Sequence, residues 1–453
     1  MSSPVSLAAN ASLHGGRGLS ARALLTYGFL RAPLALLELP LFVLLPAFYG
    51  REAGLALAVV GGVLFGARLI DAIADPFIGA AIDRARHTGG YRRWILMACV
   101  PLALGFGAML HPPSWSGAGL AAWLAGCSVL TYLAWSTVTI AHQAWGAELG
   151  TNPADRVRIT GFREACGLAG VLASAALLEP QHATSLTVLL VGALLSAAVL
   201  LRLAPLPAAT DQDIRRVRAV EVASTAPAAP ASPRASEWPW RELFANRAFR
   251  QLLIVFMLNG TASALPATLV LFFVADVLGE PMRAPLFLLV YFVAAALGMP
   301  LWVRLAVRSG AKRAWLIGMI ASVIAFAWAF DLGQGDLIAF GVICAVTGLA
   351  LGADLAMPPA LLASAIAASG ARGEREGAYF GVWSLATKLN LALAAGLGLP
   401  LIGWLGYQPG APDSATGALS FAYAALPCLI KLGAAWLLWR LPNPDLQPPT
   451  VHP

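Results

Sequence analysis

The chain contains 453 residues, of which 59% are apolar and only 12% are Asp, Glu, Lys or Arg. Soluble domains carry roughly 25% charged residues, so a soluble fold of this composition would expose large apolar patches. The composition excludes an ordinary soluble domain and favours a protein whose surface faces lipid. The net charge of +7 does not indicate a nucleic-acid partner, because the basic residues are confined to particular loops.

The apolar residues are grouped in long blocks. A spanning helix needs about 20 consecutive, mostly apolar residues, and twelve blocks meet this requirement. Segments of alternating apolar and polar residues, which mark a membrane β-barrel, are absent from the sequence. The sequence therefore predicts an all-α membrane protein with twelve transmembrane helices. The predicted blocks are 23–49, 55–82, 94–111, 117–147, 160–179, 184–203, 248–275, 284–306, 313–330, 337–369, 377–406 and 415–440.

The basic residues are distributed unevenly between the two sets of alternate loops. Of the 30 Lys and Arg residues, 24 fall in one set, whereas the opposite set has only Arg51 and Arg283. This asymmetry follows the positive-inside rule and predicts that both termini are cytoplasmic. The basic set comprises the N-terminus, 83–93, 156–163, 202–250, 304–313, 372–375 and Arg440.

The first predicted helix contains Arg31 and Glu38, seven residues apart and on one helical face. Pro33, Pro40 and Pro46 interrupt this helix and free backbone carbonyls. Broken helices often line transport cavities. Glu38 is therefore either a cavity residue or the partner of Arg31 in an ion pair, and the sequence leaves both interpretations open.

The second predicted helix has the densest set of ionisable residues, Arg68, Asp71 and Asp75, which share one face. An ionisable residue at bilayer depth costs about 2.5–3.5 kcal/mol on insertion scales, so such residues are retained for pairing or for function. Two carboxylates one turn apart repel each other unless a proton, Na⁺ or Arg68 relieves the repulsion. The alternatives are cation binding by the carboxylates and a static Arg68–Asp71 pair.

The longest polar stretch, residues 204–246, is rich in Pro, Ala and Ser and cannot bury enough apolar surface to fold alone. Six predicted helices precede it and six follow, as in major facilitator transporters, in which the substrate site lies between the halves near the bilayer midplane. The predicted organisation is a tail at 1–22, a six-helix bundle at 23–203, a cytoplasmic linker at 204–246, a six-helix bundle at 247–441 and a cytoplasmic tail at 442–453.

The second half contains three further ionisable residues at predicted bilayer depth. Lys388 lies about twelve residues into its block, too deep to reach the interface easily, which favours a cavity-facing role. Lys431 is predicted to be structural, and the role of Asp354 is left open. In the first half, His142 and Gln143 near the end of helix 4 are interpreted as satisfied polar residues with a possible cavity role.

Catalytic signatures are absent from the sequence. There is no G-x-S-x-G motif, no H-E-x-x-H motif and no Walker A run. The sequence therefore predicts that the protein is not an enzyme and that it needs no cofactor.

Three segments resemble one family, the glycoside–pentoside–hexuronide:cation symporters, which is the melibiose-permease-like branch of the major facilitator superfamily. The first, RLIDAIADPFIGAAIDRARHTGGYRRWIL at 68–96, has the D-x-x-x-D-P pattern followed by a basic loop. The others are AELGTNPADRVRITGFRE at 147–164 and REGAYFGVWSLATK at 375–388. The resemblance implies that Asp71 and Asp75 bind the coupling cation, that Arg163 contributes to the sugar site or its gate, and that Lys388 takes part in coupling.

The resemblance also has departures at the sugar site. The permease's sugar-gripping aspartate of helix 1 falls at Ala35, its helix-4 aspartate at about Thr139 and its stacking Trp at about Gln143. Recognition of galactosides in the manner of the permease is therefore not expected. Glu38, three residues beyond Ala35 on the same face, is a candidate for a displaced carboxylate.

The predicted function is cation-coupled symport, driven by Na⁺ or H⁺, of a small polar solute such as a sugar or glycoside. Alternatives are a carrier or exporter of an amphiphile such as a lysolipid, and a non-transporting membrane sensor.

The substrate site is expected between helices 1, 4, 5, 7, 10 and 11. The candidate coupling residues are Asp71 and Asp75, where Na⁺ would be the only metal ion. The candidate substrate or cavity residues are Glu38, Thr139, Gln143, Arg163, Trp383 and Lys388. The candidate structural or gating residues are Arg68, Asp83, Arg84, Arg92, Arg93, Glu148 and Arg156.

The predicted partners are a small-molecule solute and the lipid bilayer, with the protein as a monomer. The excess of Arg over Lys and the abundance of Ala indicate a GC-rich bacterial genome. The predicted location is the bacterial inner membrane.

Overall fold

The computed structural model describes residues 19–85, 90–177, 182–205, 240–408 and 416–442. The described residues form helices in the predicted order and contain no β-strand. Most of the predicted tails and of the predicted linker (residues 1–18, 206–239 and 443–453) lies outside the described residues. The helices are α1 (residues 21–52), α2 (Leu57–Ala85), α3 (Gly90–Leu110), α4 (Gly117–Leu149), α5 (Pro153–Ala175), α6 (Ala183–Leu203), α7 (Arg247–Phe272), α8 (Ala284–Ser309), α9 (Ala311–Ala327), α10 (Leu337–Ala368), α11 (Glu376–Trp404) and α12 (Thr416–Arg440).

Long apolar helices dominate because the bilayer core offers no hydrogen-bond partners to the backbone. A helix satisfies its backbone N–H and C=O groups internally. Within the described ranges, nine helices are long and apolar enough to cross a membrane. The other three predicted blocks correspond to the interrupted helix α1 and to α2 and α5, which carry most of the ionisable residues discussed below.

Helix α1 is interrupted as its prolines predict. It consists of α-helical segments Ala21–Gly28 and Arg31–Leu36, followed by π-helical turns at Pro40–Leu44 and Phe48–Glu52. A proline inside a helix lacks the N–H that would donate to the preceding turn and clashes with the carbonyl there, so the turns around Pro40 open.

The predicted start of helix 5, at residue 160, was wrong. Helix α5 begins at Pro153, where the Asn152 side chain accepts a hydrogen bond from the Asp155 backbone N–H (2.8 Å). Hydropathy misplaces this boundary because the first turns of α5 carry arginines, and a basic segment before an apolar block is typical of a cytoplasmic loop. These turns pack against protein rather than lipid: Arg156 and Arg163 are both buried.

The helices pack as two sets of six that meet along a shared interface. In the first half α3 packs on α4 and α1 on α5, and in the second half α8 packs on α10 and α7 on α12. Contacts between the halves are made chiefly by α2 with α11 and by α5 with α8 and α10. We use the term arginine-rich end for the end at which α2, α4 and α10 finish and α5 and α11 begin.

Glycines allow α2 and α11 to approach very closely near the arginine-rich end. A Cβ atom built on Gly79 would lie 2.0 Å from the carbonyl oxygen of Gly377, and one built on Gly381 would lie 2.5 Å from the carbonyl oxygen of Asp75. Any larger side chain at these positions would separate the two backbones. The halves are therefore in direct backbone contact at this end.

We predict that Gly79→Ala lowers the free energy of unfolding, because overpacking of this kind costs about 1–3 kcal/mol. The matched control is Gly66→Ala on the same helix, where an added Cβ meets nothing within 4 Å. The control should be neutral or stabilising, since Ala is favoured over Gly in a helix by about 1 kcal/mol. Thermal unfolding of the purified variants measures both effects, and equal behaviour of the two variants would contradict the close contact.

Candidate coupling and substrate site

Two carboxylates of α2 and one ammonium group of α11 meet at the interface between the halves. Lys388 Nζ lies 2.6 Å from Asp71 Oδ2 and 2.6 Å from Asp75 Oδ2. Both aspartates are buried, and Asp75 is fully so. Because Asp71 and Asp75 are one helical turn apart, they project from one face of α2 and can share a single cation.

Ser136 of α4 completes this cluster. Its hydroxyl donates to Asp71 Oδ1 (2.6 Å) and accepts from Lys388 Nζ (2.8 Å). Asp75 has less support: its contacts with Lys388 and with the Ser384 side chain lack the geometry of a well-formed hydrogen bond. The two carboxylates are thus unequal, and Asp75 is the one with acceptor capacity left.

Arg68 has a partner on α4. Its Nε donates to the hydroxyl of Tyr132 (3.2 Å), and its guanidinium lies 5.6 Å from the centre of the Tyr132 ring. The positive charge in direct contact with Asp71 is therefore the ammonium group of Lys388. A helix-packing role for Arg68 remains a prediction.

A chain of alternating charges joins α1 to α5. Arg31 contacts Glu38 (2.9 Å) and Glu164 (3.4 Å), and Glu164 contacts Arg163 (2.7 Å). Glu38 therefore forms the ion pair with Arg31 that one of the two interpretations predicts. Its side chain remains 29% exposed. Arg163 is almost completely buried and is directed at its neighbour Glu164.

Tyr27 and His142 fix the position of α4 against α1. The Tyr27 hydroxyl donates to the His142 carbonyl oxygen (2.6 Å), and His142 Nε2 lies 2.9 Å from the Tyr27 carbonyl oxygen. His142 is therefore a satisfied, buried residue. Thr139 and Gln143 on the same helix are partly buried, and Gln143 lines a void of about 10 Å³, together with Arg163 and other residues.

Trp383 is buried rather than facing lipid. It is 3% exposed, and its ring stacks on Phe256 of α7 with centroids 3.9 Å apart. Little of the ring is open to a solute in this conformation. Its contact with a substrate therefore remains a prediction that requires the halves to rearrange.

Polar contacts close the arginine-rich end between the two halves. The carboxylate of Asp83 accepts hydrogen bonds from the backbone N–H groups of Gly377 and Ala378, both at 2.7 Å, at the N-terminus of α11. A carboxylate at this position also interacts favourably with the helix dipole. Asp83 of the first half is thereby attached to the second half.

Two arginines add to this closure. Arg372 donates to the Glu148 carbonyl oxygen (2.8 Å), and Arg156 donates to the Ser364 hydroxyl (3.2 Å). Each of these bonds also joins one half to the other.

The remaining candidate gating residues lie on α2 and α3. Arg84 and Arg93 are exposed, and the Arg92 guanidinium lies 6.0 Å from the centre of the Trp145 ring. The contacts that form the Asp71–Asp75–Lys388 cluster do not include these three arginines.

A second buried ion pair lies inside the second half. Lys431 of α12 contacts Asp354 of α10 (2.7 Å), the Asn259 side-chain oxygen (2.8 Å) and the Ser263 hydroxyl (3.1 Å). Asp354 also accepts from Trp315 (2.8 Å) and from Asn259 (3.1 Å). This cluster agrees with the structural role predicted for Lys431, and it gives Asp354 a partner that the sequence had not identified.

Ser136 and Glu164 were missed by the sequence analysis. Glu164 lies inside the predicted fifth block, 160–179, and could have been found there as an ionisable residue at helical depth. Ser136 carries no such signal, because a serine in an apolar helix is common and usually returns its hydrogen bond to its own backbone.

Residues 26–445 of the chain match the family described as MFS/sugar transport protein. An uncharacterized symporter, sll1374, from Synechocystis sp. is 25% identical over 477 aligned positions, which cover 85% of this chain and 87% of the relative.

Solved structures are similar in fold. A bacterial homologue of the iron transporter ferroportin in an outward-facing state has a TM-score of 0.66 at 14% identity, covering 93% of this chain and 99% of that one. The proton:xylose symporter XylE has a TM-score of 0.62 at 15% identity, covering 93% and 94%.

These similarities confirm the predicted all-α major facilitator fold and the multi-pass placement in the membrane. They also confirm that the protein is a transporter and not an enzyme, since the family and its structural neighbours are transporters. The chain belongs to the MFS/sugar transport family of the major facilitator superfamily.

Proposed function

We propose that the protein is a secondary active symporter that couples Na⁺ or H⁺ to the movement of a small polar solute, a sugar or glycoside, by alternating access. The observation that carries the proposal is the position of Lys388 Nζ, 2.6 Å from a carboxylate oxygen of both Asp71 and Asp75. A single ammonium occupies the place that a coupling cation would take.

Charge balance within the cluster supports cation binding. Asp71, Asp75 and Lys388 together carry one net negative charge when all are ionised. Adjacent anions in a partly dry interior favour uptake of a proton or a metal cation. Asp75 is the better entry point, because its oxygens lack well-formed hydrogen bonds from the described residues.

The same cluster supports a link between binding and conformational change. Asp71 and Asp75 belong to the first half and Lys388 to the second. A cation that binds the carboxylates competes with Lys388 and weakens a bond between the halves. Binding would thereby alter the equilibrium between conformations, as a ligand must when it prefers one of two states.

The nature of the solute is supported by the family rather than by a complete sugar site. The family description is sugar transport, and XylE, which shares the fold, is a xylose symporter. Polar groups of α1, α4 and α5 lie near one another in the first half, whereas Trp383 is covered in this conformation. An uptake screen in vesicles with imposed Na⁺ and H⁺ gradients identifies the solute, the ion and the direction, and it would reveal an amphiphile as readily as a sugar.

We also propose that both termini lie in the cytoplasm, which is supported by the arginine asymmetry between the loops. The arginine-rich end then faces the cytoplasm. The contacts of Asp83, Arg156 and Arg372 would close the solute path on that side.

Asp75→Asn is predicted to abolish gradient-driven accumulation of the solute found in that screen. The change removes one anion but retains the size of the side chain, so downhill exchange should persist. The double variant Asp71→Asn with Asp75→Asn should lose all dependence on the ion. Uptake into vesicles with and without the gradient, normalised to protein amount, measures these effects.

The matched control is Asp336→Asn, at the N-terminus of α10, where the carboxylate accepts a hydrogen bond from the Gly333 backbone. This variant should accumulate solute as the unaltered protein does. Full accumulation by folded Asp75→Asn protein would rule out Asp75 as a coupling residue.

Lys388→Ala is predicted to make stability depend on the cation. Removing one partner of a buried ion pair costs about 3–5 kcal/mol, because the remaining charges lose their compensation. Here two carboxylates remain, so Na⁺ or a lower pH should restore much of the lost thermal stability. Recovery with Na⁺ at constant pH indicates a Na⁺ site, and recovery only at lower pH indicates a proton site.

Lys431→Ala serves as the control, since it removes the other lysine that lies within an apolar helix and leaves a single carboxylate, Asp354, with donors from Trp315 and Asn259. It should be destabilised with a weaker response to either cation. A Lys388→Ala variant that responds to neither Na⁺ nor pH would contradict the coupling site.

A further inference from the structure

The second half contains an open cavity that the proposed coupling mechanism does not use. Its volume is about 370 Å³, and it is lined by α7, α8, α9, α10 and α12. Leu39 of α1 forms part of one side, so the cavity borders the other half. Its walls are largely apolar, with Phe287, Phe292 and Phe326 among the lining residues.

The charged residues of this cavity are already satisfied by protein. Lys431 has three donors, and these reach Asp354, Asn259 and Ser263 at 2.7–3.1 Å. Asp354 in turn accepts from Trp315 and Asn259 as well as from Lys431. An ammonium group has only three donors, so an anionic ligand could bind Lys431 only with the loss of an existing contact. The charge of Asp354 is balanced by Lys431 at 2.7 Å.

Two tyrosine hydroxyls at the cavity are not satisfied in this way. Tyr291 and Tyr423 both line it, and neither hydroxyl has a hydrogen-bond partner among the described residues. The Tyr423 ring is 3% exposed and stacks on Phe273 with centroids 4.1 Å apart, so it cannot turn away easily. Each hydroxyl can therefore donate a hydrogen bond to a ligand oxygen in the cavity.

The volume sets the size of the occupant. An engineered apolar cavity of about 150 Å³ binds benzene, so 370 Å³ accommodates about two fused rings or a chain of similar volume. The volume, the apolar walls, the paired charges and the tyrosine hydroxyls together favour an uncharged, apolar molecule with one hydrogen-bonding oxygen.

We propose that this cavity, bounded by Tyr291, Tyr423, Ser322 and the Asp354–Lys431 pair, is a second binding site, separate from the Asp71–Asp75–Lys388 cluster, for a neutral apolar molecule that carries a hydroxyl group. The inference does not rest on cation coupling, and binding at this site requires no ion gradient.

The test is calorimetric titration of the full chain in nanodiscs with three probes that share one ring system: β-naphthol, naphthalene and β-naphthoate. Titration of empty nanodiscs provides the correction for partition into lipid. β-Naphthol should bind at a one-to-one ratio. Naphthalene should bind roughly tenfold more weakly, the equivalent of about one net hydrogen bond. β-Naphthoate should bind more weakly still, because its charge has no free partner.

Two variants locate the binding. Ser322→Phe places a ring inside the cavity and should weaken β-naphthol binding at least tenfold, whereas Ser196→Phe, on the exposed face of α6, should leave it unchanged. The double variant Tyr291→Phe with Tyr423→Phe keeps the shape of the walls and should remove the preference for β-naphthol over naphthalene. It also serves as a second test should Ser322→Phe fail to fold.

Three outcomes would overturn the proposal. One is the absence of saturable binding beyond that of empty nanodiscs, which is expected if lipid chains fill the cavity. The second is equal or tighter binding of β-naphthoate. The third is an unchanged preference for β-naphthol in the double tyrosine variant.

Discussion

The ammonium group of Lys388 lies within 2.6 Å of carboxylate oxygens of both Asp71 and Asp75, and the arrangement of the interface depends on this contact. Without the ammonium, α2 would present two buried anions to α11 at a point where the backbones nearly touch. With it, the anions become part of the attachment between the halves. This attachment is electrostatic, and Asp75 retains unused acceptor capacity. Another cation could therefore take the place of the Lys388 ammonium group.

Close backbone packing and polar contacts contribute differently to this interface. Gly79 and Gly377 let two backbones approach without intervening side chains, which places Asp83 within 2.7 Å of the first N–H groups of α11. Close backbone packing makes the arrangement specific in geometry, whereas the few hydrogen bonds between the halves can be exchanged for water. A transporter needs both properties, because its halves must fit well and must also separate.

The two lysines within apolar helices, Lys388 and Lys431, show how similar sequence signals acquire different meanings. Lys431 directs its three donors to protein acceptors within the second half. Its carboxylate partner, Asp354, accepts three hydrogen bonds. Lys388 connects different halves and shares two carboxylates. The first arrangement is closed and suits a structural role, whereas the second has a surplus negative charge. Depth in the membrane alone could not distinguish them, because both lie well inside apolar blocks.

The sequence by itself determined the helix number, the order of the helices and the division into two halves, since hydropathy and loop charge are properties of consecutive residues. It also singled out Asp71, Asp75 and Lys388, because charge at bilayer depth is rare. Only the tertiary structure decided which groups meet: Ser136 and Lys388 are 252 positions apart, and their contact depends on how α4 and α11 pack. The start of α5 was misjudged for the same reason, since polar turns can be helical when other helices, rather than lipid, surround them.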